Sequence, residues 1–248
     1  MDMFIIKLGG SVITNKSKYK TLNKKIAENL IKEIVKSKQQ VILVHGAGSY
    51  GHIIAKQAGI GKNIAYDYNA VSQVSMDVLQ LNYEILNITR KAKLNAISLP
   101  PRAFVTMERG NILSFDIEII KKLVEKKITP VLFGDVAIDT YWNFSIISGD
   151  DIIFHLAKNL KPEKVIFVSD IDGVYGKNKK LILDLNEIDS KDIVAWKKGS
   201  DATGGILKKI EVMQNLAKCS IHGSLINGKV KNRLLGALSS KEVISTNF

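Results

Sequence analysis

The sequence predicts an α/β fold in which an open, mostly parallel sheet is sandwiched by helices. Apolar runs alternate with amphipathic stretches along all 248 residues, an order typical of strand–helix–strand units. The apolar runs are continuous rather than alternating, which indicates parallel strands covered on both faces. We expect a single domain over residues 1–248 with two lobes, 1–160 and 161–248, and a sheet that runs through both.

Seven strands and seven helices follow from this pattern. Short apolar runs predict strands at residues 3–8, 40–44, 95–99, 128–133, 164–168, 220–226 and 242–245. Apolar residues at helical spacing predict helices at 22–36, 49–57, 70–92, 117–126, 150–159, 205–217 and 232–238. Alternation around Asp139-Thr140 and Asn143 predicts a β-hairpin flap at 137–147, and the basic, turn-rich stretch 175–185 is predicted to be an exposed loop.

Two glycine-rich turns each follow an apolar strand in the first half of the chain. Lys7 precedes the first turn, Gly9-Gly10-Ser11, and His52 follows the second, which runs from 46 to 51. Glycines let backbone N–H groups approach an anion closely, and the N-terminus of a following helix adds positive potential. Two such turns predict a site where two phosphate groups meet, which suits phosphoryl transfer.

The second turn also matches the dinucleotide pattern GxGxxG. A dinucleotide fingerprint usually lies after the first strand, with an acid about 20 residues on that closes the second strand. Here the turn follows the second strand, and the nearest later acid, Asp67, does not end a strand pattern. A phosphate-binding turn is therefore favoured, and a dinucleotide-dependent oxidoreductase stays as the alternative enzyme class.

Further turns place candidate polar residues in both halves. Ser148 and Asp151 resemble a capping box at a helix start, and Asp150 between them could orient catalytic lysines. The stretch 169–175 follows a predicted parallel strand, where α/β proteins bind ligands, and a glycine turn at 203–205 opens the next helix. Each half thus offers an anion site, as expected if ATP faces a phosphorylated acceptor. Walker A, protein-kinase and zinc-site motifs are absent from the sequence.

Composition and charge narrow the class of protein. No apolar run approaches the roughly 20 residues of a membrane helix, the first residues lack signal-peptide features, and the single cysteine, Cys219, excludes an intrachain disulfide. We therefore expect a cytoplasmic protein without a membrane partner. The net charge is +12, but the lysines are spread over several predicted helices and arginine is scarce. This pattern favours a solvated surface over nucleic-acid binding, which remains the non-enzyme alternative.

The order of these motifs along the chain resembles the order found in the amino acid kinase family, and the resemblance covers essentially the whole chain. The matching segments are 7–11, 46–51, 134–135, 148–151, 169–175 and 203–205. Within the family, the motifs resemble those of the isopentenyl phosphate kinases. This rests on Lys16 shortly after the first turn, on His52, and on Asp-Ala-Thr-Gly-Gly-Ile at 201–206.

The resemblance implies ATP-dependent phosphorylation of isopentenyl monophosphate to isopentenyl diphosphate, with ATP and Mg²⁺, in the mevalonate route to isoprenoids, by a homodimer. It implies catalytic roles for Lys7, Lys16, His52, Asp150 and Lys209. It implies ATP contacts, in the lobe 161–248 and at the first turn, by Lys7, Gly9, Gly10, Ser11, Asp170, Asp172, Gly173, Tyr175, Gly204 and Lys209. It implies acceptor contacts, in the lobe 1–160, by Gly46, Ala47, Gly48, Gly51, His52, Gly134 and Gly149, and no dedicated metal ligand.

Three points stay open at the level of sequence. The family spacing Gly-Gly-x-x-x-Lys selects Lys209 over Lys208, but the choice depends on alignment, and residues 176–179 depart from the family's pattern. The stripe Val71, Val74, Val78, Leu81 and Ile85 on the helix 70–92 could line a pocket for the isoprenoid tail, although core packing is the favoured reading. Fosfomycin-type phosphonate kinases share much of the pattern and remain the nearest alternative, whereas acetylglutamate kinase fits Lys16 and His52 poorly.

Overall fold

A seven-stranded sheet forms the centre of the protein in a computed structural model that describes residues 3–15, 17–61, 67–177, 179–187 and 205–248. In chain order the strands are β1 (Met3–Leu8), β2 (Gln40–His45), β3 (Ala96–Ser98), β4 (Val105–Glu108), β5 (Asn111–Phe115), β6 (Thr129–Phe133), β7 (Asp135–Asp139), β8 (Asn143–Ile147), β9 (Lys164–Ser169), β10 (Gly223–Asn227) and β11 (Ser245–Asn247). The central sheet has the order β11-β10-β9-β1-β2-β6-β3, and all of its pairs are parallel except β10–β11. The predicted mostly parallel sheet is confirmed.

Helices cover both faces of this sheet. They are α1 (Gly10–Ile13), α2 (Lys24–Ser37), α3 (Gly48–Gln57), α4 (Tyr68–Lys91), α5 (Glu118–Glu125), α6 (Gly149–Leu160), α7 (Gly205–Lys218) and α8 (Arg233–Leu238). The side chains of β1 alternate between two cores: Ile5 packs with α5, α6 and α7, whereas Ile6 packs with α2, α4 and α8. Because both faces of the strand are buried, its sequence is a continuous apolar run.

The predicted hairpin flap belongs to a second sheet that the sequence analysis missed. Strands β7 and β8 form the hairpin and, together with β4 and β5, build a four-stranded sheet of order β5-β4-β7-β8. Strands β4 and β5 are four and five residues long and are separated by a tight turn at Arg109-Gly110. Such short segments carry too few apolar positions for a period to be recognised.

Two further predictions needed correction. The strand expected at 242–245 is β11, three residues later, because Thr246 bonds to Val174 N–H and to the Ile182 carbonyl while Ile244 is exposed. The loop expected at 175–185 is not wholly exposed, since Ile182 and Leu185 are buried in the core. No helix in the described part of the chain combines the length and the hydropathy needed to cross a membrane.

Candidate active site

The carboxyl ends of the central strands converge on one edge of the sheet, and the predicted turns lie there. Gly9 N–H donates to the Val168 carbonyl at 2.8 Å, and Gly46 N–H donates to the Leu8 carbonyl at 2.9 Å. Gly134 N–H donates to the last residue of β2 at 3.1 Å. These bonds continue the ladders of β9, β1, β2 and β6 into the turns, at the edge where parallel sheets bind ligands.

The two glycine turns pack directly against each other. A Cβ added to Gly10 would lie 2.6 Å from Gly48 Cα, and one added to Gly46 would lie 2.7 Å from Gly10 N. Both distances are shorter than any side chain tolerates, so these positions require glycine. Gly48 also has a positive φ of 51° and packs against Thr14, whose hydroxyl accepts from Ser49 N–H at 3.1 Å. The turns form one continuous surface of backbone groups.

A cavity of about 240 Å³ opens in front of these turns. It brings together many of the predicted site residues, namely Lys7, Gly9, Gly10, Ser11, Gly46, Ala47, Gly51, His52, Gly134, Gly149, Asp150 and Lys209. Apolar side chains continue its lining, namely Ala55, Ile60, Val74, Val78, Ile146 and Ile147. One cavity thus joins a polar, glycine-lined part to an apolar part.

Lys7 and Asp150 form a buried ion pair at the polar end. Lys7 lies near the end of β1 with 6% of its surface exposed, and Asp150 lies in the first turn of α6 with 8% exposed. Gly149 leaves room for the lysine, since a Cβ there would lie 3.2 Å from Lys7 Cε. Burial lowers the pKa of Lys7 from 10.5 to about 8. The negative charge of Asp150 opposes this shift, whereas the positive charge of Lys209 adds to it. Asp150 therefore compensates the positive charge of the Lys7 ammonium group only in part.

The same charges act on the carboxylate. Burial alone would raise the pKa of Asp150, but Lys7 and Lys209 outweigh it and hold that pKa at about 2. Its Oδ1 atom is buried and has no hydrogen-bond partner among the described residues. An ionised oxygen without a partner is costly in a low-dielectric site, so it is available to a cation that enters with a ligand.

The structure separates the two adjacent lysines of α7. Lys209 lines the cavity, whereas Lys208 Nζ lies 2.8 Å from Asp151 Oδ2. Asp151 also forms a capping box with Ser148 at the start of α6, as its position predicted. Lys208 and Asp151 therefore fasten α7 to the helix that carries Asp150, and the position of Lys209 favours the alignment that selected it.

His52 lies on α3 and lines the cavity beside Gly51. A second histidine, His45, was not predicted as a site residue. It contacts the second glycine turn from the buried side. It is fully buried, Asn82 Nδ2 donates to its Nε2 at 3.1 Å, and its Nδ1 contacts the Gly46 carbonyl at 3.2 Å. Burial lowers the pKa of His45 to about 4, so the ring is neutral and Nδ1 is the donor. The sequence feature that could have indicated His45 is its position at the end of an apolar strand.

Arg102 and Asp135 form a further polar cluster. Asp135 belongs to the matching segment 134–135, but neither residue was predicted as a site residue. Asp135 lines the cavity, and Arg102 Nε donates to its Oδ2 at 2.8 Å while also contacting Ser75. Burial raises the pKa of Asp135, and the hydrogen bonds from Arg102 oppose that rise. The cluster connects β7 to α4 beside the cavity. Its residues are distant in sequence, so only the fold brings them together.

Several predicted ATP-binding residues lie after β9 and do not line the cavity. Asp172 is bound by Arg233 and by Asn227 Nδ2, the latter at 3.3 Å. Gly173 packs tightly, since a Cβ there would lie 2.4 Å from Thr246 Oγ1. Asp170 and Tyr175 follow the same strand and also do not line the cavity. Gly48, which was predicted to contact the acceptor substrate, is likewise not in the lining. Lys16 and Gly204 lie outside the described residues.

The apolar stripe of α4 divides between the core and the cavity. Leu81 and Ile85 belong to the core beneath the sheet, as the core-packing interpretation predicted. Val74 and Val78 line the cavity, and Val71 packs in the same small cluster. Part of the stripe therefore fits a tail pocket. Among the residues that the structure describes, no group of three or more His, Cys, Asp or Glu side chains could hold a metal ion.

Comparison with known proteins agrees with this geometry. The sequence model of the amino acid kinase family matches residues 2–227. The chain belongs to this family. Within the family, it is 34% identical to isopentenyl phosphate kinase of Methanothermobacter thermautotrophicus over 98% of both chains. It is 33% identical to that of Thermoplasma acidophilum over 98% of this chain and 99% of the other.

Solved structures of the family give the same picture. A crystal structure of isopentenyl phosphate kinase superimposes with a TM-score of 0.87 at 31% identity, covering 99% of each chain. An isopentenyl phosphate kinase substrate complex superimposes with a TM-score of 0.81 at 30% identity, covering 98% of this chain and 99% of that one. An acetylglutamate kinase from Campylobacter fetus is 23% identical. The resemblance and fold class predicted from the motifs are confirmed.

Proposed function

We propose that this chain transfers the γ-phosphoryl group of ATP to the phosphate of isopentenyl monophosphate, giving isopentenyl diphosphate and ADP. One observation carries the proposal: a single cavity joins glycine turns, a buried lysine and His52 to an apolar lining. A substrate that fits both parts has an anionic head and a short hydrocarbon tail. Relatives at 32–34% identity over 94–98% of this chain bear the name isopentenyl phosphate kinase.

The acceptor's phosphate would lie against the turns of residues 1–160. Backbone N–H groups of Ala47 and Gly149 would bind its oxygens, and His52 would donate to it. Gly46 and Gly134, whose N–H groups bond to neighbouring strands, would leave room for the phosphate beside them. The tail would lie along the apolar lining. Such a phosphate is already ionised near neutral pH, so its oxygen can attack the γ-phosphorus in line without a general base. The protein's contribution is to align the two anions and to reduce their repulsion.

The nucleotide would lie in the half formed by residues 161–248, reaching the cavity from the side of α7. Lys7 and Lys209 would neutralise charge that develops on the transferring group, and Lys16 is proposed to assist them. Asp150 would keep the lysines apart and oriented. Binding of two phosphates would also favour the charged form of Lys7, which burial alone disfavours. Asp170, Asp172, Gly173, Tyr175 and Gly204 remain proposed nucleotide contacts.

Magnesium would enter with ATP as part of the substrate. The ion's ligands would be phosphate oxygens, and its charge would lower repulsion between the two anions. The buried, unpartnered Oδ1 of Asp150 is the protein oxygen of this cavity that fits a cation brought by the nucleotide.

We further propose that the protein is a homodimer that acts in the mevalonate route to isoprenoids in the cytoplasm. Helix α4 supports a dimer, because Met76, Leu79 and Tyr83 form an exposed apolar stripe on its outer face. Light scattering after size exclusion should give twice the chain mass, and Met76→Lys should shift the mass to that of one chain. Leu183→Lys is the matched control, because Leu183 and Met76 are both 66% exposed. A single-chain mass for the unaltered protein would contradict the dimer.

A coupled ADP-release assay tests the function. Mg-ATP is offered with isopentenyl phosphate, dimethylallyl phosphate, fosfomycin and N-acetylglutamate in separate reactions. Turnover of isopentenyl phosphate, with at most slow turnover of fosfomycin and N-acetylglutamate, supports the proposal. Turnover of fosfomycin without isopentenyl phosphate would keep the site and change the substrate to a phosphonate. No turnover of any acceptor would contradict the proposed reaction.

A pair of lysine variants links the activity to the cavity. Lys7→Ala should lower kcat by about 100-fold or more, the usual cost of removing one transition-state charge partner. Lys164→Ala is the matched control, because Lys164 is a half-buried lysine that also lies on a central strand, but at the opposite end of the sheet. An effect of Lys7→Ala confined to KM would show that Lys7 only binds substrate.

A further inference from the structure

Asp139 is a buried carboxylate that holds two turns together. It ends β7 with 2% of its surface exposed and accepts five hydrogen bonds. Oδ1 accepts from the backbone N–H groups of Arg109, Tyr141 and Trp142 at 3.1, 2.9 and 2.9 Å. Oδ2 accepts from Gly110 N–H at 2.9 Å and from Ser145 Oγ at 2.6 Å. One side chain thus fixes the β4–β5 turn, the β7–β8 turn and the middle of β8.

The carboxylate is ionised at neutral pH. Burial by itself would raise the pKa of Asp139, but the hydrogen bonds from Ser145 and from the backbone N–H groups lower it well below its ordinary value. These five donors are neutral groups, four backbone N–H groups and one hydroxyl, rather than lysine or arginine side chains. Backbone N–H groups of both turns therefore point at the charged carboxylate. The positions of the two turns depend on that charge.

Two of the groups held by Asp139 line the cavity. Gly110 and Ser145 both belong to its wall, and Gly61 packs over Ser145, since a Cβ on Gly61 would lie 3.4 Å from Ser145 Cα. Gly110 has a φ of 77° and lies under Trp142. The turns that Asp139 fixes are therefore part of the cavity surface rather than remote connections.

The register of the hairpin places this wall at the far end from the phosphate turns. Gly134 precedes β7 and Ser148 follows β8, and Asp135 pairs with Ile147 next to them. Ser145 lies two residues before Ile147 on β8, about 7 Å away at the usual rise of a strand. The isopentenyl group is branched and has four carbons in its longest path, so it extends about 5 Å from the ester oxygen at bond lengths of about 1.5 Å. The wall therefore lies at the depth that a five-carbon tail would reach.

We infer that Asp139 sets the depth of the acceptor cavity and thereby limits the length of the hydrocarbon tail that the enzyme accepts. The inference rests on the proposed function, because it assumes a prenyl phosphate as acceptor. Asp139 touches neither substrate in this account. It acts through Gly110 and Ser145, so it is a positioning residue whose loss should change chain-length preference rather than the chemistry at the lysines.

The Asp139→Asn variant loosens the wall selectively. An amide has one oxygen, which can still accept from Arg109, Tyr141 and Trp142. Its NH₂ group would then face Gly110 N–H, a donor against a donor, so the β4–β5 turn loses its anchor. The opposite orientation would leave three N–H groups without an acceptor. The variant should therefore release the Gly110 side of the wall.

The test compares prenyl monophosphates of five and ten carbons. In Asp139→Asn the ratio of kcat/KM for the five-carbon over the ten-carbon acceptor should fall by about tenfold or more, with KM for ATP unchanged. Glu33→Gln is the matched control, because Glu33 is also a buried carboxylate that accepts backbone N–H groups, at Asn232 and Leu235, but does not line the cavity. It should lower thermal stability without changing the ratio.

The outcomes separate the inference from the proposed function. If the unaltered enzyme turns over the five-carbon acceptor and Asp139→Asn leaves the ratio unchanged, the inference is wrong and the function stands. If the unaltered enzyme turns over no prenyl phosphate, both are wrong. Should Asp139→Asn fail to fold, Gly110→Ala disturbs the same turn through its positive φ while keeping the carboxylate, and it must shift the same ratio.

Discussion

Replacing Asp150 by asparagine tests how the site keeps a buried lysine charged. The ion pair with Asp150 is the main favourable interaction of the Lys7 ammonium, while burial and Lys209 act against its charge. Asparagine keeps the volume and removes the negative charge. Lys7 would then be a buried cation beside a second cation, with only the weaker attraction of Asp151 to compensate its charge. We expect it to lose its proton near neutral pH.

The size of the effect follows from the charge removed. Two unit charges about 4 Å apart interact by about 4 kcal/mol at an effective dielectric constant of about 20. That energy corresponds to a factor of about 10³ in the protonation equilibrium of Lys7. With a pKa of about 8 in the unaltered protein, most of Lys7 is protonated at pH 7. In Asp150→Asn the protonated fraction should fall to the order of 1%.

The assay is the pH dependence of kcat/KM, which reports the free enzyme. The charged form of Lys7 is the active one, so activity should fall as pH rises through its pKa. The unaltered enzyme should therefore lose activity above about pH 8. Asp150→Asn should be about 100-fold less active at pH 7 and should recover as the pH is lowered by two to three units. Asp67→Asn, a helix-cap aspartate outside the cavity, is the control. An equal loss at every pH would refute the reasoning.

Three further sets of variants test other parts of the structure. His52→Ala should lower kcat/KM for the acceptor by about 100-fold through a lost phosphate contact, with KM for ATP unchanged, whereas His222→Ala, an exposed histidine, should have no effect. Lys208→Met and Asp151→Asn should each lower kcat by about tenfold. Because the two residues form one ion pair, the double variant should lose no more activity than the less active single variant, and additive losses would contradict this. Leu81→Ala should reduce the free energy of unfolding by about 2–5 kcal/mol in denaturant titrations, because Leu81 is fully buried in the core; a change below about 1 kcal/mol would contradict that placement.

The sequence alone predicted most of the fold and the location of the site. Strand β1 could be recognised because both of its faces are buried, and α4 because its apolar residues recur at helical spacing. The pairing of β4 with β5 and β7 could not, because strands of four or five residues have no clear period and their partners are distant in sequence. The shift of β11 had the same cause, since long-range contacts of Thr246 decide where it pairs.

Local chemistry indicated the glycine-lined part of the candidate site, and long-range contacts decided the rest. Glycines in a turn, a lysine in an apolar strand and a histidine at a helix start are local features, so the sequence by itself predicted a candidate anion site after β1 and β2. Only the tertiary structure decided that Lys209 rather than Lys208 faces Asp150. It also decided which valines of α4 border the cavity, and that Asp139 holds a wall built from two separate turns. The physical reason is that these relations depend on how helices and turns from distant segments pack, which no local pattern encodes.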